Sequence, residues 1–188
     1  MKKILVLLFA ALTIGSVAQA RQYGDVSIPD ELEAGGTKLV LNGAGFRSKF
    51  FMKMYLGGLY LKQGSGDATA IVGADEPMLI KLHIVSGKIT SKRMTDAINE
   101  GFEKSAGGNL AALADEIARF KSFFAEEIKV DDIFDISYVP GEGISVSRNG
   151  SLSGTIPGMN FKQAVFGIWL GDDPADKGLK QKMLGLED

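Results

Sequence analysis

The 188-residue sequence predicts an α+β fold, an antiparallel β-sheet with a helical layer on one face. Three observations lead there. Strand-like runs punctuated by turn residues fill the first half; two stretches with apolar residues at helical spacing follow; and Asn149-Gly150, set between two alternating runs, signals a hairpin. No internal repeat or low-complexity segment interrupts the pattern, and linkers are short, as at Gln63 to Asp67, so one compact domain is expected.

The chain begins with a leader. Lys2 and Lys3 supply a positive start, Ile4 to Gly15 an apolar run, and Ala18-Gln19-Ala20 a cleavage pattern, so 1–20 reads as a secretory signal peptide and 21–188 as the mature, periplasmic domain. The apolar run is too short to span a bilayer permanently, and no stable membrane anchor is expected. With no cysteine, neither a lipid-modified cysteine nor a disulfide can form. The 21 basic residues less Lys2 and Lys3 leave 19 against 23 acidic ones, with no long basic run, which gives nucleic acid no purchase.

Strands are expected at Val26 to Ile28, Lys38 to Phe46, Phe50 to Leu61 and Met78 to Val85, with a short helix at Ala68 to Gly73. In Ser91 to Ser105, Met94, Ala97, Ile98, Gly101 and Phe102 fall on one helical face, opposite Lys92, Asp96 and Glu103. A second helix is expected to start at an Asn109 cap and to bury Leu110, Leu113, Ile117, Phe120 and Phe124. Ile133 to Val139, Gly143 to Arg148 and Ser151 to Ile156 then read as strands joined by turns at 141–143 and 149–150. Phe161, Val165, Ile168 and Trp169 line one face of a third long helix, and Asp173-Pro174 predicts a last helix with Asp as its cap.

The segment Asn42 to Leu61 carries the main functional lead. It sets Arg47 at a glycine-punctuated turn between two apolar strands, with Gly43 and Gly45 allowing a bulge or close backbone approach. Such an arginine reaches solvent, pairs with an acid, or lies in a pocket where an unpaired guanidinium invites an anion. Tyr55 and Tyr60 differ by five positions and point to opposite faces of a regular strand, so only one of them shares a cavity with Arg47 unless Gly57-Gly58 forms a bulge.

Other chemistry is thin. His83 is the only histidine and alternates with Lys81 away from the apolar face of its strand, which with no cysteine excludes His-based triads and common zinc sites; no metal and no cofactor is expected. No nucleotide-binding loop is present. Asp172, Asp173 and Asp176 suit helix capping better than calcium, lacking EF-hand spacing, and Asp131, Asp132 and Asp135 read as a solvated turn. Met52, Met54, Met78, Met94 and Met159 suit either a core or an adaptable apolar pocket.

Two motifs carry a family resemblance: Gly43, Ala44, Gly45 and Arg47 followed by Gly58, Tyr60 and Leu61, and the tail Trp169 to Gly185. Together they resemble the chalcone isomerase family, the tail its bacterial, exported branch. The resemblance implies an open-faced β-sandwich in which a ligand lies between the sheet and its helical layer. In the plant isomerases the arginine matching Arg47 holds a substrate phenolate, and in non-catalytic, fatty-acid-binding members it receives the carboxylate. Tyr55 stands where the plant enzymes have threonine, Thr90 near their tyrosine and Ala97 near their asparagine, so the hydroxyl types are exchanged and an amide is lost.

The leading expectation is therefore a carrier or sensor of a small amphiphilic anion such as a fatty acid, bound by Arg47, Tyr55 and Thr90. A second is an isomerase closing a phenolic enone, with Arg47 on the phenolate and Tyr55 and Thr90 at the carbonyl. A third is an envelope interaction protein with a vestigial cavity, whose protein partner the sequence does not identify.

Overall fold

The computed structural model describes residues 19–186. Most of the expected leader lies outside the described residues, and Ala20 already belongs to the first strand. Strands β1 (Ala20–Tyr23) and β2 (Val26–Pro29) form a hairpin of their own. Seven further strands form one sheet in chain order: β3 (Glu31–Ala34), β4 (Thr37–Lys49), β5 (Met52–Leu61), β6 (Met78–Ile84), β7 (Ile133–Val139), β8 (Gly143–Arg148) and β9 (Ser151–Ile156). Every neighbouring pair is antiparallel. The helices α1 (Ala68–Gly73), α2 (Ser91–Ser105), α3 (Ala114–Ser122), α4 (Met159–Leu170) and α5 (Lys177–Met183) fill the connections and the C-terminal segment.

Period-two alternation decides the two faces of the sheet. Met78, Ile80, Leu82 and Ile84 of β6 join the main core under the helices, whereas Leu79 joins a smaller cluster on the other face with Leu39, Leu41, Leu56 and Tyr60. The β1–β2 hairpin covers that second cluster through Val26 and Ile28, and Gly58 lacks the Cβ that would stand 2.5 Å from the Ile28 side chain. The main core centres on α4, which is apolar nearly all round and hence buried nearly all round. Its Phe161 joins Phe102, Phe120, Phe124 and Phe134 in an aromatic cluster with neighbouring ring centroids 4.9–5.8 Å apart.

One charge is enclosed in this core. Lys162 on α4 is fully buried, and its ammonium donates to the carbonyls of Ile71, Val72 and Ala74 at 2.9, 2.8 and 2.7 Å. These carbonyls end α1; Ile71 O also accepts from the Ala74 N–H at 3.3 Å, while the lysine satisfies those of Val72 and Ala74 and meets the negative end of the helix. Burial nevertheless draws its pKa down to about 8.

Several expectations need correction. Residues 107–113 form two short 3-10 turns, so α3 starts at Ala114, Asn109 caps nothing, and Leu110 is exposed. The last helix is capped by Asp176, whose side chain accepts from Leu179 N–H at 2.9 Å, while Asp173 and Pro174 precede it. Asp132 is no solvated turn residue: buried, it accepts from Lys129 N–H, Asn149 and Arg148. Asp135 pairs with Lys81 at 2.6 Å.

Candidate functional site

Arg47 does not sit at a turn. It lies within β4, paired across the ladder with Tyr55 of β5, and the turn comes later at Phe50-Phe51. Its direction follows from a bulge. Leu41 pairs with Tyr60 but Gly43 with Leu59, so Asn42 is an extra residue in β4. Leu39 and Leu41 face the β1–β2 hairpin; beyond the bulge Ala44 and Phe46 take over that face, and Gly43, Gly45 and Arg47 turn toward the helices. Asn42 is held in place by donating to Ser65 O and Met183 O at 2.9 and 2.8 Å and by accepting from Ser65 N–H at 2.8 Å.

Gly43 and Gly45 serve packing. A Cβ on Gly43 would stand 2.0 Å from Lys182 O, and one on Gly45 2.6 Å from the Lys182 side chain, so only glycine lets α5 lie on β4 this closely. Gly57-Gly58 forms no bulge, and Tyr55 and Tyr60 point to opposite faces. Tyr60 donates to Pro29 O at 2.7 Å on the hairpin side, leaving Tyr55 on the side of Arg47.

A second bulge shapes the floor. Arg47 pairs with Tyr55 but Ser48 with Lys53, which makes Met54 the extra residue and brings Met52, Met54 and Tyr55 to the same side. Between this floor and α2 lies a cleft of about 500 Å³, within the usual range for small-molecule sites. Met52, Met54, Ile89, Met94 and Ala97 supply apolar lining; Arg47, Lys49, Lys88 and Arg93 supply cations; Asp96 and Glu100 supply acids. The acids are already engaged, Asp96 by Lys92 at 2.7 Å and Glu100 by Lys104 at 2.9 Å. The hydrogen bond from Lys104 holds the Glu100 carboxyl below its usual range, with Lys49 and Arg47 adding to the effect.

Among the described residues the Arg47 guanidinium has neither a hydrogen bond nor an ion pair; its carbon stands 5.7 Å from the Tyr55 ring centroid. The Tyr55 hydroxyl accepts from the Trp169 indole N–H at 2.9 Å and has no acceptor for its own proton among the described residues. Burial pushes its pKa up, against the opposing pull of Arg47, so it remains a neutral donor. An anion entering the cleft thus meets one unpaired guanidinium and one unused O–H above an apolar floor.

Thr90 is not part of this arrangement. It is the N-cap of α2, its hydroxyl accepting from Arg93 N–H at 3.3 Å, and it does not line the cleft although Ile89 does. Ala97 does line it. The sequence reading missed Lys49, Phe50, Lys88 and Arg93; the usable signal was the helical spacing of Arg93, Asp96, Ala97 and Glu100, a mixed stripe beside the apolar face of α2. His83 stands clear of the cleft with Nε2 3.1 Å from Asp131 Oδ1. Among the described residues no group of three His, Asp or Glu side chains is placed to hold a metal ion, and no helix is long and apolar enough to cross a membrane.

Comparison with curated proteins by sequence gives no match. Among solved structures, a fatty-acid binding protein of Arabidopsis thaliana, AtFAP1, superposes with a TM-score of 0.70 at 18% identity, covering 88% of this chain and 96% of that one. The likeness extends the fold match over nearly the whole domain. The chalcone isomerase-like family model matches residues 20–185. The chain belongs to the chalcone isomerase-like family.

Proposed function

We propose that the protein is a non-catalytic, periplasmic carrier or sensor that binds a small amphiphilic anion, a fatty acid or an acid of similar shape, in the cleft between the β4–β5 hairpin and α2. The observation that carries this reading is the unpaired Arg47 guanidinium beside the free Tyr55 O–H over an apolar floor. A carboxylate satisfies both donors, and its tail lies along Met52, Met54, Ile89 and Met94. Each methylene removed from water adds about 0.8 kcal/mol before association costs are subtracted. The shared fold of a fatty-acid binding protein supports the ligand class. The leader pattern at 1–20 supports export.

The geometry favours binding over enone isomerisation, because Thr90, one of the two hydroxyls expected at the carbonyl, does not line the cleft. The open cleft also differs from the collapsed interior that a vestigial cavity implies. The test is extraction of the protein purified from the periplasmic fraction, with mass spectrometry of the small molecules and of the protein's N-terminus. A stoichiometric acid lost in Arg47→Ala supports the reading. Wild-type protein that takes up no acid even when one is supplied refutes it, and recovery of the intact leader in cytoplasm refutes its location.

A further inference from the structure

The β4–β5 hairpin ends in a turn whose residues contradict its backbone. Phe50 and Phe51 occupy its two central positions at φ of 50° and 64°, with Lys49 and Met52 paired directly below. Left-handed backbone at both positions is the territory of Asn-Gly, since a Cβ with a bulky aromatic group is disfavoured there. The same chain obeys that rule elsewhere: the β8–β9 turn uses Asn149 and Gly150 at φ of 51° and 81°. Packing does not offset the strain at the aromatic turn, because Phe50 is 79% exposed, Phe51 106% and Met52 43%.

The charges around these rings that have no ion-pair partner among the described residues are of one sign. Lys49 and Lys53 flank the turn, and Lys88 and Arg93 stand across the cleft mouth, all four exposed, in a chain of formal net charge −2. The acids of the same cleft, Asp96 and Glu100, are paired with Lys92 and Lys104. We propose that this hairpin tip docks the protein peripherally on an anionic lipid bilayer, with the Phe50 and Phe51 rings in the interfacial layer and the surrounding cations against the headgroups. Apolar aromatic side chains beneath a cationic collar combine the two terms that hold a protein at such a surface, burial at the acyl boundary and attraction to anionic lipid. The exposed apolar tip is the kind of surface that marks an interaction site. The docking stands beside the ligand reading without resting on it, although Phe50 and Met52 also line the cleft and would set its mouth on the membrane.

Co-sedimentation with vesicles of equimolar phosphatidylglycerol and phosphatidylcholine, against phosphatidylcholine alone, tests it. Wild type and Phe50→Asn/Phe51→Gly are compared as full chains with the same N-terminus by intact mass, so that any leader contributes equally. The wild type binds the anionic vesicles preferentially and less so as salt rises. The double variant binds at least about tenfold more weakly, while its melting temperature equals or exceeds the wild type's because the turn strain is gone. Lys49→Gln/Lys53→Gln, with both rings intact, flattens the salt dependence. A wild type with no preference for anionic vesicles, or an Asn-Gly variant that keeps wild-type partition, overturns the proposal. Loss of acid binding in solution with vesicle binding intact removes the ligand reading alone.

Discussion

Arg47→Ala separates a ligand-binding arginine from a structural one, because the structure assigns the side chain so little other work. It breaks no ion pair or hydrogen bond among the described residues; what the fold loses is its position over the Tyr55 ring at 5.7 Å, about 0.5–1 kcal/mol for a half-exposed cation. A bound carboxylate loses a charge-assisted hydrogen bond, nominally about 1.5–3 kcal/mol. The lower end applies here, since the cleft is open to solvent and Lys49, Lys88 and Arg93 keep its potential positive. About 1.5 kcal/mol corresponds to roughly tenfold in Kd. The matching primary alcohol loses only a weaker bond, about 0.5 kcal/mol or roughly twofold. Trp169 is the only tryptophan and touches the Tyr55 hydroxyl, so its fluorescence reports titration of both variants with acid and alcohol of equal chain length. Equal losses for the two ligands would place Arg47 outside the site.

Tyr55→Phe leaves the buried Trp169 N–H without an acceptor and is expected to cost about 1–3 kcal/mol; an unchanged urea midpoint and unchanged Trp169 emission refute that bond. Gly43→Ala puts a Cβ 2.0 Å from Lys182 O and must displace α5, at about 1–3 kcal/mol; if stability holds, the glycine is not there for packing. Lys162→Met strands the carbonyls of Val72 and Ala74, Ile71 O keeping the Ala74 N–H, and is expected to destabilise by about 1–3 kcal/mol in urea unfolding. The same lysine sets a pH signature. Folded Lys162 gives up its proton near pH 8, unfolded lysine only near about 10.4, so the unfolded state binds more protons between those values and stability rises across that window. Tyr138 acts oppositely: burial and its bond to Asp75 push it up to about 12, so its contribution is lost as pH climbs through the range from about 10. Urea midpoints of wild type and Lys162→Met across alkaline pH check both signs, and a wild-type midpoint that falls steadily from pH 8 refutes the first.

The sheet was legible where a strand carried its own signal. Asn149-Gly150 fixed one hairpin, and the alternation of β6 marked its two faces. β1 and β3 were missed because four-residue strands reading Ala-Arg-Gln-Tyr and Glu-Leu-Glu-Ala carry no apolar alternation; their pairing partners define them. Asn109 looked like a cap by type, but the chain there tightens into 3-10 turns before α3. At the site, parity along β5 was enough to separate Tyr55 from Tyr60. The face of Arg47 was not legible in the same way, because it depends on Asn42 being unpaired, and what holds Asn42 is Ser65 and Met183, both distant in sequence. Lys88 and Arg93 reach the cleft only through the packing of α2 over the hairpin.

Three departures from local rule fall within one hairpin: an extra residue at Asn42, another at Met54, and aromatic side chains in a left-handed turn. Each alone could be an accident of packing. Their effects, however, converge on one place. The Asn42 bulge turns Arg47 from the β1–β2 face to the helical face, the Met54 bulge brings one more apolar side chain beside Tyr55, and the turn sets Phe50 at the rim of the same cleft. A hairpin of regular register ending in Asn-Gly would satisfy every local preference, yet Arg47 would then project to the other side of the sheet and the cleft would lose its unpaired guanidinium. Sequences depart from local consistency mainly where function requires it. Elsewhere the sheet shifts register once, at Val146/Ser147 of β8–β9, beside a regular Asn149-Gly150 turn, whereas two shifts and a left-handed aromatic turn fall together in β4–β5 and all three bear on the same cleft.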